Sequence, residues 1–556
     1  MNIDEARAML SQPGGMLEVT EEPVRGRPRK VFKTRERSLR EKLINATTAH
    51  ADKPFLVDGE RRLTYGEFGQ LCFGAARVLT QDYGMAKGDR LAILAYNRPE
   101  WLAALFGATS AGAVGVGLNG WWAEEELEYG LRDSGSRYLI VDEDLYPRVQ
   151  PILAKIDSLE TVFYIGDNPP AGTVPMAALE VPHAEPPTVP IEEDDPWVLL
   201  YTSGTTGRSK GCITTHRGTI AQVQLIIFNF LANAMVKGEN PLGDEGGDLP
   251  CTLLTSPLFH VAGLHSTVCA SMTVGTKLVM GAPKFDPEAT MRLMAEERVT
   301  TWMAIPTLLS RFLDHPKLDD HDLSSLNNIS TGGAPASPEL LRRASELLPK
   351  KPNAGATYGL TEVHSMATSI SSMEQETKAG SVGKPSAIID IKIVNEAGEP
   401  VPTGVAGEIC IGGCTVTPGY WNREDATAEA IREGWLHTGD VGYLDDDGYL
   451  FISDRAKDMI LRGGENVYCV EIENVIGDHP DVAEAAVIGV PDKDMGERVK
   501  AVVRLHPGAE LDADAIKAHV ASHMAKFKVP EFVAFTDDEL PRNAAGKLLK
   551  KQLRDA

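Results

Sequence analysis

Cysteine is sparse in this chain and follows no pattern. Seven occur in 556 residues, Cys72, Cys212, Cys251, Cys269, Cys410, Cys414 and Cys469, with no Cys-x-x-Cys pair. An odd, scattered set argues against a zinc site or a disulfide framework and fits small buried hydrophobes in a reducing compartment. Positive charge is in deficit too: 55 Lys and Arg stand against 79 Asp and Glu, for a formal net charge of -24. A general nucleic-acid binder or an anionic-membrane coat needs a basic field and is excluded; a small anionic ligand in a locally basic pocket is not. Long hydrophobic runs are missing as well. The longest, Leu102 to Leu118, is interrupted by Thr109 and Ser110 and falls short of the roughly 20 residues that span a bilayer. It reads as a packed helix entering a buried strand. The start, Met-Asn-Ile-Asp-Glu, has no basic and apolar signal regions, and the closing Arg-Asp-Ala is not a peroxisomal tripeptide. Cytoplasm is the expected location, with at most peripheral membrane contact. No repeat or low-complexity tract is visible.

What is present is the composition of a soluble globular protein, 43% apolar with a mean hydropathy of -0.16. At about 150 residues per domain the length suggests three to four folding units. Helical and strand-like segments alternate through the first 430 or so residues, predicting stacked α/β layers. Ser337-Pro338 starts one readable helix, with Leu340, Leu341, Ala344, Leu347 and Leu348 on one face before Pro349. Connections are expected over 185–196 and 237–248. Past residue 455 or so come short runs (485–490, 501–505, 532–535) and helical ones (470–477, 512–525) of compact α+β character. A stretch from Arg25 to Arg37 carries seven basic residues against one acidic. It reads as a surface arm, with attraction to an anionic partner as the sharper alternative.

The strongest signal is Trp197-Val-Leu-Leu-Tyr-Thr-Ser-Gly-Thr-Thr-Gly-Arg-Ser-Lys-Gly211. An apolar strand delivers the chain into Gly, Ser and Thr closed by Lys210. Glycines let backbone N–H groups approach oxyanions, hydroxyls add donors and lysine adds charge, which is the chemistry of holding polyphosphate. A P-loop would place Gly-Lys-Ser/Thr at a helix mouth. Here Lys210 is followed by Gly211-Cys-Ile-Thr-Thr-His216, a returning strand, so the loop joins two strands and the Walker reading falls.

Tyr201–Gly211 closely resembles the phosphate-loop signature of the adenylate-forming superfamily, which includes acyl-CoA synthetases, peptide-synthetase adenylation domains and beetle luciferases. The resemblance continues in family order through Gly332–Pro335, Thr357–Glu362, Gly434–Asp440, Ser453–Asp458, Arg462–Asn466 and Pro541–Lys547. It implies an α/β fold in which a large multi-sheet N-terminal domain (1–456, ATP and acyl pocket) meets a small α+β C-terminal domain (457–556) at a hinge. It also implies an ATP-dependent acyl-CoA ligase that uses ATP, Mg2+ and coenzyme A. The reaction needs cations and N–H donors where anions meet.

On this resemblance Ser203, Gly204, Thr205, Thr206, Gly207 and Lys210 hold phosphate. Glu362 holds the metal with Thr202 as a weaker partner. Gly333, Ala334, Pro335 and Tyr358 sandwich adenine with Thr357 and Gly359 alongside, and Thr361 touches the α-phosphate. Asp440 accepts the ribose hydroxyls with Arg455 beside it. Lys547 contacts the carboxylate and α-phosphate, Lys457 is the hinge, and Gly463 and Gly464 reach the pantetheine tunnel in the second half-reaction. Lys547, Glu362 and Lys210 are the expected catalytic set.

The acyl pocket is less legible. His260, Val261, Gly263, Trp302, Gly332 and Met366 are its expected lining, with Met303 and Ile305 also plausible. On the same resemblance peptide-synthetase domains carry an aspartate at the position of His260, so its absence argues against an amino-acid substrate, and the small Gly332 and Gly333 favour an extended fatty chain. An aryl or alicyclic acid is the alternative within the family, and a non-catalytic nucleotide-binding regulator the alternative outside it. A small-molecule carboxylic acid, ATP and CoA are the expected partners, with no nucleic acid; a homodimer is compatible. Pro541 to Ala556 carries five basic groups against one acidic, a positive patch expected to face an acidic body.

Overall fold

The computed structural model describes residues 1–202, 208–239, 250–333, 336–349, 352–455, 458–462, 465–493, 495–543 and 548–555, with only the backbone for Asp454, Arg455, Glu465, Asn466 and Asp555. Three large sheets of this chain precede residue 456 and one follows it, among the described residues.

A seven-stranded sheet runs in the order Lys210–Thr215, Pro196–Thr202, Val114–Gly117, Arg90–Leu94, Tyr138–Asp142, Thr161–Ile165 and Val174–Pro175. All its pairings are parallel except the first. Parallel strands are covered on both faces and read as unbroken apolar runs, which is why every residue of Tyr138–Asp142 is buried. The run Leu102 to Leu118 resolves as expected into the helix Pro99–Ser110, buried except at Glu100, and the strand Val114–Gly117. Trp197 closes this core, and its buried Nε1 donates to Thr109 Oγ1 at 3.1 Å.

A nine-stranded sheet holds a parallel block of Asn353–Tyr358, Asn328–Thr331, Thr301–Ala304, Cys251–Leu254, Lys277–Met280 and Pro54–Asp58. A third, antiparallel sheet joins Ile389–Val394, Gly407–Gly413, Trp435–Leu444, Ile431–Arg432 and Leu450–Arg455. The last sheet contains Val482–Asp492, Gly496–Leu505 and Phe532–Phe535, backed by the helices Cys469–Gly477 and Ala513–His523. These match the α+β elements expected past residue 455. Ser337 caps Pro338–Leu347 by accepting from Leu340 N, but Leu347 is 49% exposed, because the buried side of that helix is set by Leu341 and Ala344.

The basic stretch is no free arm. It forms the hairpin Val19–Val24/Arg27–Phe32 and the turn after it, and its charges are tied into the body. Arg35, with a side chain only 2% exposed, pairs with Glu22 and Glu193 at 2.8 Å each. Lys30 pairs with Asp390, and Arg29 donates to Gly434 O. Glu193, in the expected connection 185–196, also receives Arg217, so the acid of that segment is the counter-charge of the hairpin. All seven cysteines are buried, as expected. Among the described residues one helix, His216–Lys237, is long and apolar enough to cross a membrane, and 56% of its most apolar window is buried inside the fold.

Candidate active site

The strand Pro196–Thr202 turns back as Lys210–Thr215, antiparallel, with Thr202 opposite Lys210. The loop therefore joins two strands as expected, while Ser203 to Gly207 themselves lie outside the described residues. Thr202 Oγ1 donates to Lys210 O at 3.4 Å. The far edge of the returning strand takes up another segment: Trp421 N donates to Gly211 O at 2.8 Å and Ile213 N to Gly419 O at 3.1 Å. This pairing carries Tyr420 into the site. Lys210 Nζ sits 5.0 Å from the centre of its ring, and its hydroxyl donates to Glu362 Oε1 at 2.7 Å. Burial, then the adjacent Glu362 charge, push the Tyr420 phenol up, so it remains a protonated donor to that carboxylate. Tyr420 was not legible as a site residue. Only strand pairing between segments 200 residues apart brings it there.

Glu362 rides on a single 3-10 turn, Thr361–Val363, which is braced from both sides. Its carbonyl accepts from Thr417 N at 2.7 Å. Two residues on, His364 adopts a left-handed φ of 63° and spans two elements. Its Nε2 accepts from Thr215 N at 2.8 Å and its Nδ1 donates to Thr415 O at 2.6 Å; because Nε2 receives an N–H, the proton sits on Nδ1. Burial keeps this imidazole far below its usual pKa and neutral. Gly218 makes room for the ring, since a Cβ there would lie 2.3 Å from His364 Nε2.

Tyr358 ends the strand Asn353–Tyr358, and its hydroxyl donates to Asp440 Oδ2 at 2.8 Å. Asp440 sits where Trp435–Leu444 bulges against Gly407–Gly413, and its backbone N donates to Thr438 Oγ1 at 3.1 Å.

A cavity of about 1060 Å³ collects Thr202, Lys210, Thr361, Glu362, His260 and Val261 on its walls, together with Gly332 and Ile305. A second, of about 750 Å³, is lined by Thr357, Tyr358 and Asp440; the two meet at Gly333, Gly359 and Leu360. The C-terminal portion reaches both, with Arg542 on the second and Asn543 on the first. Lys547, four residues on, lies outside the described residues, as do Ala334, Pro335, Lys457, Gly463, Gly464 and the side chain of Arg455. The Glu362 carboxylate and the Thr202 hydroxyl both line this cavity and fit Mg2+, which takes oxygen donors and keeps waters beside phosphate.

Three expected pocket residues do not line this cavity. Trp302 is fully buried, donates from Nε1 to Thr255 Oγ1 at 3.0 Å and packs on Phe312 with ring centres 5.0 Å apart. Met366 is packed with the helix His216–Lys237, its sulfur accepting from Asn229 Nδ2. Gly263 is glycine because a Cβ would strike Pro257 O at 2.3 Å. Large apolar residues beside a motif serve the core when their strand is covered on both faces. Met303 likewise faces Thr267, whose hydroxyl donates to its sulfur.

Comparison with known proteins agrees with this geometry. An AMP-binding enzyme family model matches residues 44–421, and an AMP-binding enzyme C-terminal domain model matches 471–547. The chain belongs to the AMP-binding enzyme family. A feruloyl-CoA synthase from Amycolatopsis sp is 37% identical over 500 residues, covering 89% of this chain and 94% of that one. The long-chain-fatty-acid–CoA ligase FadD13 of Mycobacterium tuberculosis is 36% identical over 495 residues, covering 89% and 93%. Among solved structures, the anthranilate CoA ligase AuaEII in complex with anthranoyl-AMP superposes with a TM-score of 0.85 at 26% identity, covering 93% of this chain and 96% of that one. This AMP-binding enzyme is an acid–thiol ligase of the acyl-CoA synthetase branch, acting on acyl or aryl acids with ATP, Mg2+ and coenzyme A. The regulator reading is set aside.

Proposed function

We propose that this ligase activates a ring-bearing acid, aryl or arylalkanoic, in preference to a long alkyl chain. An aromatic run along the cavity carries the reading. Tyr96 and Trp121 meet edge to face at 6.4 Å, Trp121 and Phe259 at 5.5 Å, and Phe259 leads to His260 at 4.8 Å. Tyr96, Trp121 and His260 line the cavity, and Trp121 is half exposed. Offset and edge-to-face ring contacts favour a planar guest beyond its buried area. Room for an extended chain at Gly332 loses support, since a Cβ there would lie 2.6 Å from Thr357 Oγ1. Leu293, Ile305 and Leu308 give the same cavity an apolar wall, which favours a fatty acid as the second reading, in keeping with the FadD13 similarity.

In the first half-reaction a carboxylate oxygen attacks the α-phosphorus of ATP, the new O–P bond replacing the bond to pyrophosphate. In the second, the thiol sulfur attacks the acyl carbon and AMP leaves. Lys210 and the hydroxyl-rich loop after Thr202 receive phosphate charge. Tyr420 and the braced turn hold the Glu362 carboxylate in place. Magnesium held by Glu362 with Thr202 would neutralise charge on phosphate oxygens. Asp440, oriented by Tyr358, receives the ribose hydroxyls. His260, which burial holds near pKa 4, stays neutral beside the carboxylate. Lys547 enters for adenylation and leaves as the C-terminal domain turns about Lys457, a two-state device that gives one site two reactions.

Acid-dependent pyrophosphate release, with CoA consumption in parallel, tests the substrate class. Arylpropenoic and arylacetic acids are expected to exceed octanoate and palmitate by at least about 10-fold in kcat/KM, with Trp121→Ala erasing the difference, worth about 1.4 kcal/mol. The reverse order refutes the proposal.

A further inference from the structure

We propose that Glu408, Cys410 and His437 form a binding site for a divalent transition metal, Zn2+ fitting best, separate from the Mg2+ position at Glu362. Glu408 and Cys410 are two residues apart on the strand Gly407–Gly413, and so share a face. His437, on Trp435–Leu444, is the cross-strand partner of Cys410. The three donor atoms lie within 4.8 Å of one another. Cys410 Sγ is 3.5 Å and Glu408 Oε2 is 2.7 Å from His437 Nδ1.

Tetrahedral zinc with ordinary bond lengths separates sulfur and nitrogen ligands by about 3.6 Å, and nitrogen and oxygen ligands by about 3.4 Å. The sulfur–nitrogen pair already stands at its spacing. The carboxylate must retreat by about 0.7 Å, the change from a hydrogen bond to shared coordination. Mixed S, N and O donors select zinc-like ions over magnesium or calcium, which take oxygen alone. The other Glu408 oxygen accepts from Gly439 N at 3.1 Å, the outer bond that orients a ligating carboxylate. Glu408 and His437 line the large cavity, while Cys410 is buried behind them. A fourth position therefore opens to water or phosphate.

Cobalt titration of chelator-treated full-length protein tests the site. One equivalent of Co2+ is expected to give a thiolate-to-metal charge-transfer band with tetrahedral d–d absorption. Cys410→Ser and His437→Asn should lose that band and weaken Co2+ binding at least about 100-fold, while Cys414→Ser keeps it. Zn2+ should raise the melting temperature of wild type and not of Cys410→Ser, whose near-isosteric side chain preserves the fold. Absence of the band in wild type, its survival in Cys410→Ser, or equal zinc-induced shifts in both proteins would overturn the proposal and leave a hydrogen-bonded clamp on the Thr438–Asp440 bulge.

Discussion

Acidification from pH 7.5 to 5.5 should destabilise this protein through four histidines in its interior, one of them His260, which burial holds near pKa 4. His216 accepts from Leu39 N through Nδ1, His265 Nδ1 is bonded to His364 O at 3.1 Å, and His364 braces the Glu362 turn. Desolvation is the leading cause in each case, holding His216 and His265 near 3 and His364 well below 6.5. The folded state thus binds fewer protons than the unfolded one. Stability is full above about pH 6.5 and is lost as pH falls from there toward the folded values. At pH 5.5 each histidine costs about 1.4 kcal/mol relative to pH 7.5, and the four together about 5 kcal/mol. For a cooperative unit of roughly 400 residues this lowers the melting temperature by about 6 °C. Glu297, held near 2 chiefly by its Arg62 hydrogen bond, loses its contribution only below its ordinary 4.5 and adds little within this window. Calorimetry or near-UV dichroism at the two pH values reads the shift, and His265→Phe should remove about a quarter of it. A melting temperature unchanged across the window, or an undiminished shift in His265→Phe, would refute the reasoning.

Other consequences concern the site and its supports. Tyr420→Phe removes a hydrogen bond to a charged group, of order 1.5–3 kcal/mol, and should lower Mg2+-dependent adenylation roughly 10- to 100-fold with little change in folding, read by pyrophosphate release. Tyr358→Phe loosens Asp440 and should raise KM for ATP several-fold while leaving KM for the acid unchanged, in initial-rate kinetics. Lys547→Ala should abolish adenylation yet spare thioester formation from supplied acyl-adenylate; equal loss of both would contradict its assignment. Arg35→Ala removes the hydrogen-bonded pairs with Glu22 and Glu193, the latter keeping Arg217, and should cost about 1.5–3 kcal/mol, measured by urea denaturation.

Much of the architecture was legible because its signals are local. Unbroken apolar runs mark strands covered on both faces, Ser337-Pro338 marks a helix start, and the residues after Lys210 mark a returning strand rather than a helix. The family followed from motifs in order, each a short contiguous stretch. The acyl pocket was far less legible. Trp302, Met366 and Gly263 have the composition of pocket or core alike, and only their packing shows that they turn away from the cavity.

The sequence by itself determined the layered α/β fold and the phosphate loop between two strands, which rest on periodicity and contiguous residue types, and its family resemblance carried the class of reaction. Tertiary structure alone decided which distant groups meet. It set Tyr420 on Glu362 and Lys210, His364 between Thr215 and Thr415, the basic hairpin on Glu193, and a thiol, a carboxylate and an imidazole on one face of two strands. Cysteines too scattered to suggest a metal became one arm of such a cluster. The physical reason is that cross-strand pairing joins residues by register in space, and register between remote segments leaves no spacing to read along the chain.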